Sequence, residues 1–559
     1  MPLDAPFAPY RLAPGALPEE AARAAEALAA EPLVAAPLDP IPAALLNRAL
    51  ADLPAGRAAS PAEACRAADG SPAGLSGPPR ACLASTRHRE RVAEASRAAL
   101  QAGFAGVCLD RPDAPLALGL LGAGFCPDCQ REFARQLARD YGQHFQGVDY
   151  LALAREVVTG ARGAIDFDQL PFGRDFWRMR HDHLEAAVRA YARSARDAAR
   201  AADRPFAVTA QFEGLGPAQV RAAHHLDAAV FPGPQVAGIG IGHFRLLRAV
   251  MGRRAAAIAP PGGPAPTPPA LLVRLAAVAA TCGVEISGLE PAGAPGFALA
   301  RVRRLGRQLA EQAGRPASLA QPVAECCILY SAEADLWTGG RHRVAVERAG
   351  EALAALHLQA PVVLRVHDAP PGAALVLADA EALSAVEAKE VRRRLEGGAA
   401  VLTFGEPAHV VEAGRPDGPF LPGGKAGGVK VGAGTLAELP PLAPEKGAAT
   451  PPDPAALDKA LTALLGRGKR AAGVTGRAPL LVVLQKTGES VDAHLVALGP
   501  DRAQGVTLFL GDRIAGGLRR ARFVSAEGED VRIPLNPSGQ SLSTVLPSFS
   551  GYAVLSLGG

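Results

Sequence analysis

The chain has 559 residues, with 49% hydrophobic and 20% charged residues; this excludes wholesale disorder and allows about three or four domains of ordinary size. Gly and Pro are abundant but follow no G-X-Y period, which excludes collagen. A net charge of +4 without a dense basic run argues against nucleic acid as a partner, and no run approaches the roughly 20 apolar residues of a membrane helix.

Met1-Pro-Leu-Asp-Ala-Pro-Phe lacks the basic and apolar regions of a signal peptide, so the expectation is a cytoplasmic protein. Short apolar runs then alternate with helical patterns to about residue 318. Strands are expected at 10–12, 33–38, 81–85, 105–110, 206–211, 227–231, 255–259 and 284–287. Helices are expected at 41–50, 89–102, 128–141, 176–202 and 271–281. Alternation of this kind signals a parallel sheet, and eight such units suit a (β/α)8 TIM barrel over residues 1–318. The long stretch between Asp110 and Phe206 reads as an elaborated connection on the barrel's C-terminal face.

Residues 323–440 read as an α/β domain of the flavodoxin-like kind. CCILYS, APVVLRV, AALVLAD and AAVLTF are its strands, with helices over 342–358 and 381–396 between them. Residues 441–477 are Pro/Gly-rich and read as a linker. Residues 478–559 hold short strands separated by turn residues, a small antiparallel β-sandwich. Cys326 and Cys327 begin a strand rather than follow one, so no nucleophile elbow is formed, and GGKAGG (423–428) lacks P-loop spacing.

Strand ends at a barrel mouth are where catalytic carboxylates sit. Asp110 directly follows GVCL, Glu213 lies two residues past AVTAQ, and Glu285 and Glu290 flank the last expected strand; Asp39-Pro40 is more simply a turn or helix cap. For Asp110 a loop-capping role paired with Arg111 weighs equally. For Glu213 the alternative is an exposed loop residue, and for Glu285 a salt bridge in the barrel core. Arg87, His88 and Gln211 are placed to bind substrate hydroxyls, and Trp177 to stack on a sugar face or anchor its helix. His181, His183, His224 and His225 sit in helical contexts without metal-site spacing.

GFAGVCLDRPDAP (103–115) and GFCPDCQREFARQLARDYG (124–142) resemble a pattern in glycoside-hydrolase-like barrels related to the family 42 beta-galactosidases. There a strand ending in Asp precedes a Cys-rich segment and a helix ending in Tyr-Gly. The domain order is similar too: barrel, amidotransferase-like trimerisation domain, short β-sandwich. LVLADAEALSAVEAKEVRRRLEGGAAVLTFGE (375–406) resembles the family's strand, helix, Gly-Gly and strand.

The resemblance implies a glycoside hydrolase acting on an oligo- or polysaccharide, with Asp110, Glu213 and Glu285 as catalytic candidates, no cofactor, and a homo-oligomer, dimer or trimer. The competing reading is a catalytically silent, carbohydrate-binding or scaffolding barrel, because the family's Asn-Glu dipeptide is absent. Related enzymes hold a structural zinc in a Cys cluster. Here Gly124 stands at one ligand position, Cys126 and Cys129 form a lone C-x-x-C, and Cys108 or Cys82 would have to complete the set. The expectation is therefore buried thiols and well under one zinc per chain.

Overall fold

The computed structural model describes residues 10–11, 50–286 and 321–559, apart from 75–78, 161–166, 168, 235–238, 253–254, 259–268, 283, 406–408, 413–414, 418–420, 422–427, 444–451, 467–469, 477, 500–501 and 540. The strand expected at 33–38, the Asp39 turn and Glu290 lie outside the described residues. The chain forms two compact units, Met1–Pro232 with Arg254–Pro260, and Gly233–Arg253 with Pro261–Gly559.

In the first unit, β1 (Tyr10–Arg11), β2 (Leu50–Leu53), β3 (Gly106–Asp110), β4 (Ala207–Gln211), β5 (Ala228–Phe231) and β6 (Ala255–Ile258) pair in chain order, every ladder parallel. Parallel strands buried on both faces read as continuous apolar runs. GVCLD is such a run, with Gly106 through Leu109 buried and only Asp110 half-buried at the end. Gly106 is required there, because a Cβ would stand 2.3 Å from the Ala207 carbonyl oxygen.

Helices α1 (Thr86–Gln101), α2 (Pro127–Tyr141), α3 (Tyr150–Gly160), α4 (Gly173–Ala201) and α5 (Pro217–Ala223) fill the connections. Pro127 opens α2 with Asp128 in its first turn, and Gly142 closes it at φ 121°.

Two local expectations are corrected. Residues 81–85 form no strand: Ala81 makes an isolated bridge to Ala64, and Ser85 caps α1 by accepting from the His88 amide. Leu50, expected to end a helix, begins β2, where tertiary burial of Leu50, Ala51 and Leu53 overrides the helical reading. Among the described residues of this unit, no ladder joins β1 to β6, so the parallel sheet is open there and the expected barrel closure is not formed.

The second unit contains α6 (Ile241–Met251), α7 (Pro269–Thr281) and β7 (Val284–Ile286). Its largest parallel sheet runs Val362–Val363, Cys326–Leu329, Ala374–Ala378, Ala400–Phe404 and Gly434–Leu439 in space, with Val429–Val431 antiparallel at the edge. Numbered along the chain, the parallel strands stand 2-1-3-4-5, the flavodoxin-like doubly wound order.

The helix expected from 381 instead starts at Ala385, because Ser384 and Glu387 form a reciprocal capping box and 382–384 pair as a strand. The expected linker contains a helix, Pro454–Leu465, capped by Asp453. Two antiparallel sheets of four and six strands then share one apolar core and form the C-terminal sandwich.

Candidate functional site

The C-terminal ends of β2, β3 and β4 face the same way because the strands are parallel. Side chains from the loops that follow therefore converge. Arg111, directly after β3, is left-handed at φ 45°, a conformation costly for a residue with a Cβ. Its amide donates to the Gln211 carbonyl at 2.8 Å. Its guanidinium donates to Asp110 through Nε (3.0 Å) and Nη2 (3.4 Å), and to Glu213 Oε1 through Nη1 (3.4 Å). Arg80 Nη2 lies 3.6 Å from Glu213 Oε1, and Arg57 Nη2 lies 4.0 Å from Asp110 Oδ2.

Two of the expected carboxylates thus share one guanidinium in a half-buried cluster, with side chains 16% exposed at Asp110 and 21% at Glu213. Hydrogen bonding to Asp110 raises Arg111 above the ordinary arginine range, and the charges of Asp110, Glu213 and Asp52 add to this. Three guanidiniums, those of Arg57, Arg80 and Arg111, thus face the two carboxylates of Asp110 and Glu213.

Asp113 is fully buried beneath this pair. Its carboxylate accepts from the amides of Glu213 (2.9 Å) and Gly214 (2.9 Å) and from Gln219 Nε2 (2.8 Å). Burial pushes it up to about 6, opposed by those three donors and assisted by the negative charge of Glu213. It ties the loop after β4 to the loop after β3.

The remaining sequence candidates fall elsewhere. Arg87 is exposed on α1. His88 is buried, within 2.9 Å of the Ala55 carbonyl and 3.5 Å of Glu63, and burial lowers its pKa. Gln211 is half-buried at the end of β4. Trp177 is half-buried in α4, packed against His181 at 4.7 Å and under the Arg180 guanidinium at 5.0 Å, which is a helix-anchoring environment. Glu285 is the central residue of β7, in the second unit. Cys326 and Cys327 are buried strand thiols, and burial pushes Cys327 up to about 12.

The cysteines bring a larger correction. Cys65, Cys82, Cys126 and Cys129 place four Sγ atoms within 4.8 Å of one another, all buried, with Cys126–Cys82 at 3.1 Å and Cys82–Cys129 at 3.5 Å. Cys108 is not among them. It faces Thr209 from inside β3, and burial pushes it up to about 12.

Cys126 caps α2 and Cys129 lies in its first turn; hydrogen bonding to Cys126, together with burial, holds the Cys82 and Cys129 thiols well above their usual range. Hydrogen bonds from Cys126, Cys129 and Cys82 hold the Cys65 thiol well below its usual range, with the Gly124 amide donating to Cys65 Sγ at 3.0 Å. Gly124 is therefore no vacancy in the ligand set. It is left-handed at φ +99°, and a Cβ there would stand 2.7 Å from Phe176 Cζ and 2.9 Å from Arg180 Cδ.

Four thiolates around zinc at about 2.3 Å stand roughly 3.8 Å apart, so this donor set fits a tetrahedral soft metal. Cys65 carried no local sequence signal, because an irregular stretch separates it from Cys82.

No family profile and no curated protein sequence matches the chain. Solved structures do. The cold-adapted beta-galactosidase of Rahnella sp. R3 superposes with a TM-score of 0.62 at 14% identity, over 96% of this chain and 94% of that one. A catalytic mutant of Gan42B, a GH42 beta-galactosidase from G. stearothermophilus, gives 0.60 at 12%, over 91% and 88%. The alpha-L-fucosidase isoenzyme 2 of Paenibacillus thiaminolyticus gives 0.59 at 14%, over 91% and 87%. The chain shares the multidomain α/β fold of GH42 beta-galactosidases and related glycoside hydrolases. No described helix is long and apolar enough to cross a membrane.

Proposed function

We propose that the chain is a glycoside hydrolase whose first sheet is the wall of a (β/α)8 barrel, with a carbohydrate bound over the ends of β2–β4. The observation that carries this is the pairing of Asp110 and Glu213 on Arg111, where a barrel places its chemistry. Glycoside hydrolysis needs one carboxyl group to protonate the leaving oxygen and another to attack or to activate water. Asp110 takes the first role and Glu213 the second, with Glu285 in reserve; Arg111 orients both. The likeness to beta-galactosidases and a fucosidase supports a glycoside substrate.

Cys65, Cys82, Cys126 and Cys129 would hold a zinc ion, and the chemistry it would supply is structural, a cross-link between α2 and the irregular segment before α1.

A second reading, a non-catalytic carbohydrate-binding barrel, draws support from the arginines already engaging both carboxylates. A screen of aryl glycosides separates the two. Catalysis should fall about 10²–10⁴-fold in Asp110→Asn, with the protein still folded. A folded Asp110→Asn with undiminished turnover removes the role given to Asp110. Carbohydrate binding without turnover by the wild type favours the second reading.

A further inference from the structure

The described residues of 54–85 connect β2 to α1 with isolated bridges and no longer ladder, a length that a compact domain rarely leaves without its own fixed point. Its described backbone is nonetheless fully engaged around Arg80. The Arg80 amide donates to the Ala73 carbonyl at 2.8 Å, and its carbonyl accepts from the Cys65 amide at 2.8 Å. The Cys82 amide donates to the Glu63 carbonyl at 2.7 Å, and Ala73 donates back to Cys65 at 2.9 Å. Arg57 and Arg80 face each other in an antiparallel bridge. One residue before Arg57, Gly56 donates to the Asp110 carbonyl at 3.0 Å and accepts from Ala81 at 3.1 Å.

The backbone that carries both arginines is therefore tied directly to two cysteines of the cluster. The other two cysteines belong to α2. Arg80 lies two residues from Cys82 and is hydrogen-bonded through its carbonyl to Cys65. Its other end is the guanidinium, 3.6 Å from Glu213.

We propose that the cysteine cluster is a positioning device for the barrel mouth: by fixing Cys65 and Cys82 against α2, it sets Arg80 against Glu213 and Arg57 against Asp110. This inference rests on the reading of the mouth as the reaction site. Arg57 and Arg80 are positioning residues in it, and the cluster acts through them. Loss of the cross-link frees the segment while leaving the sheet that carries Asp110 intact, because β2–β5 are held by their own ladders and apolar core.

The test is hydrogen exchange on the full chain, purified with zinc, against Cys129→Ser. That substitution lies on α2, far along the chain from either arginine. Amides in 56–66 and 79–85 should exchange about tenfold faster or more, with those of β3 and β4 unchanged. Unchanged protection in the segment overturns the proposal. Equal loss across β3 and β4 overturns it too, since the cluster would then be a staple of the whole unit.

A second measurement avoids dependence on the variant's folding. Wild type stripped of metal and then given Zn²⁺ alone should regain protection in the same two peptides, and no regain refutes the idea. On any glycoside the wild type cleaves, Arg80→Met and Cys129→Ser should each lower kcat more than they raise KM, and their combination should add less than about twofold to the larger effect. Full additivity overturns the coupling. If no glycoside is cleaved, the proposed activity falls while the exchange result still decides the positioning role.

Discussion

Replacing Asp113 by Asn tests the physical account of the mouth most directly, because it removes a buried charge and keeps its shape. Asp113 is fully buried, and its carboxyl is pushed from 3.8 to about 6, chiefly by burial. Each tenfold change in proton affinity is worth about 1.4 kcal/mol, so the ionised form costs the native state about 3 kcal/mol relative to the unfolded chain. The sign follows from linkage. Between pH 3.8 and about 6 the native protein holds a proton that the unfolded chain has lost, so stability falls as pH rises through that window and is level above it. The Asp113→Asn variant has no proton to exchange at this position and lacks the decline.

The substitution also disturbs hydrogen bonding. Three donors converge on the carboxylate, and the Glu213 amide reaches both oxygens (2.9 and 3.0 Å); an amide can keep its oxygen on the shared Oδ2 side but turns its NH2 toward the Glu213 amide at Oδ1. One buried bond is lost, at about 1–3 kcal/mol. Above about pH 6 that loss and the relieved charge burial oppose each other, and Asp113→Asn should lie within about 2 kcal/mol of wild type. Below about pH 4 the relief is gone and the variant should be less stable by the cost of the lost bond.

Urea unfolding of both proteins in a Trp337→Phe background, where Trp177 is the remaining tryptophan, reports the first unit. The difference in stability between variant and wild type should change by about 2 kcal/mol from about pH 4 to about pH 6, in favour of the variant, as part of about 3 kcal/mol over the whole titration. A difference flat with pH, or running the other way, refutes the assignment of a buried, proton-holding Asp113.

Purified protein should carry about one zinc per chain by elemental analysis, retained in Cys108→Ser and lost in Cys65→Ser; retention in both refutes the four-thiolate site. Gly124→Ala should lower stability by roughly 1–3 kcal/mol and weaken zinc retention, since φ +99° and the Phe176 ring both oppose a Cβ; an unchanged melting temperature would contradict this. Gly56→Ala places a Cβ 1.9 Å from the Arg111 carbonyl oxygen, so Arg111 must move. Turnover on a cleaved glycoside should drop at least about tenfold with β3 and β4 still protected from exchange, and full turnover would show that Arg111 needs no fixed position.

Much of the frame was legible in the sequence. β3 and β4 are apolar runs that stop at a polar residue, Pro127 and Asp128 announce α2, and four of the five parallel strands of the second unit read as apolar runs spaced by helices, the fifth, Gly434–Leu439, being hidden in a Gly-rich stretch. β2 was not legible, because a four-residue strand, three of them buried, shows no period that separates it from a helix end. The cysteine cluster was half legible. C-x-x-C at the head of a helix is a local pattern, whereas Cys65 joins it only through the bridge that brings Ala64 to Ala81.

The arginines were hidden by composition. With 59 basic residues of which only seven are Lys, and none of those before Lys389, Arg fills every basic position of the first unit, so its presence at 57, 80 or 111 carries no contrast. Geometry restores the contrast. Several arginines of α2 and α4 pair with carboxylates along a solvated helix face, as Arg135 does with Glu132, and such pairs contribute little. Arg111 instead adopts a left-handed backbone conformation and reaches two carboxylates at once. A planar guanidinium can bridge them at fixed angles in a way a lysine ammonium cannot. Strain held at the end of β3, in a half-buried cluster of opposite charges tied to the next loop by Asp113, sets this group of side chains apart from the solvated helix-face pairs.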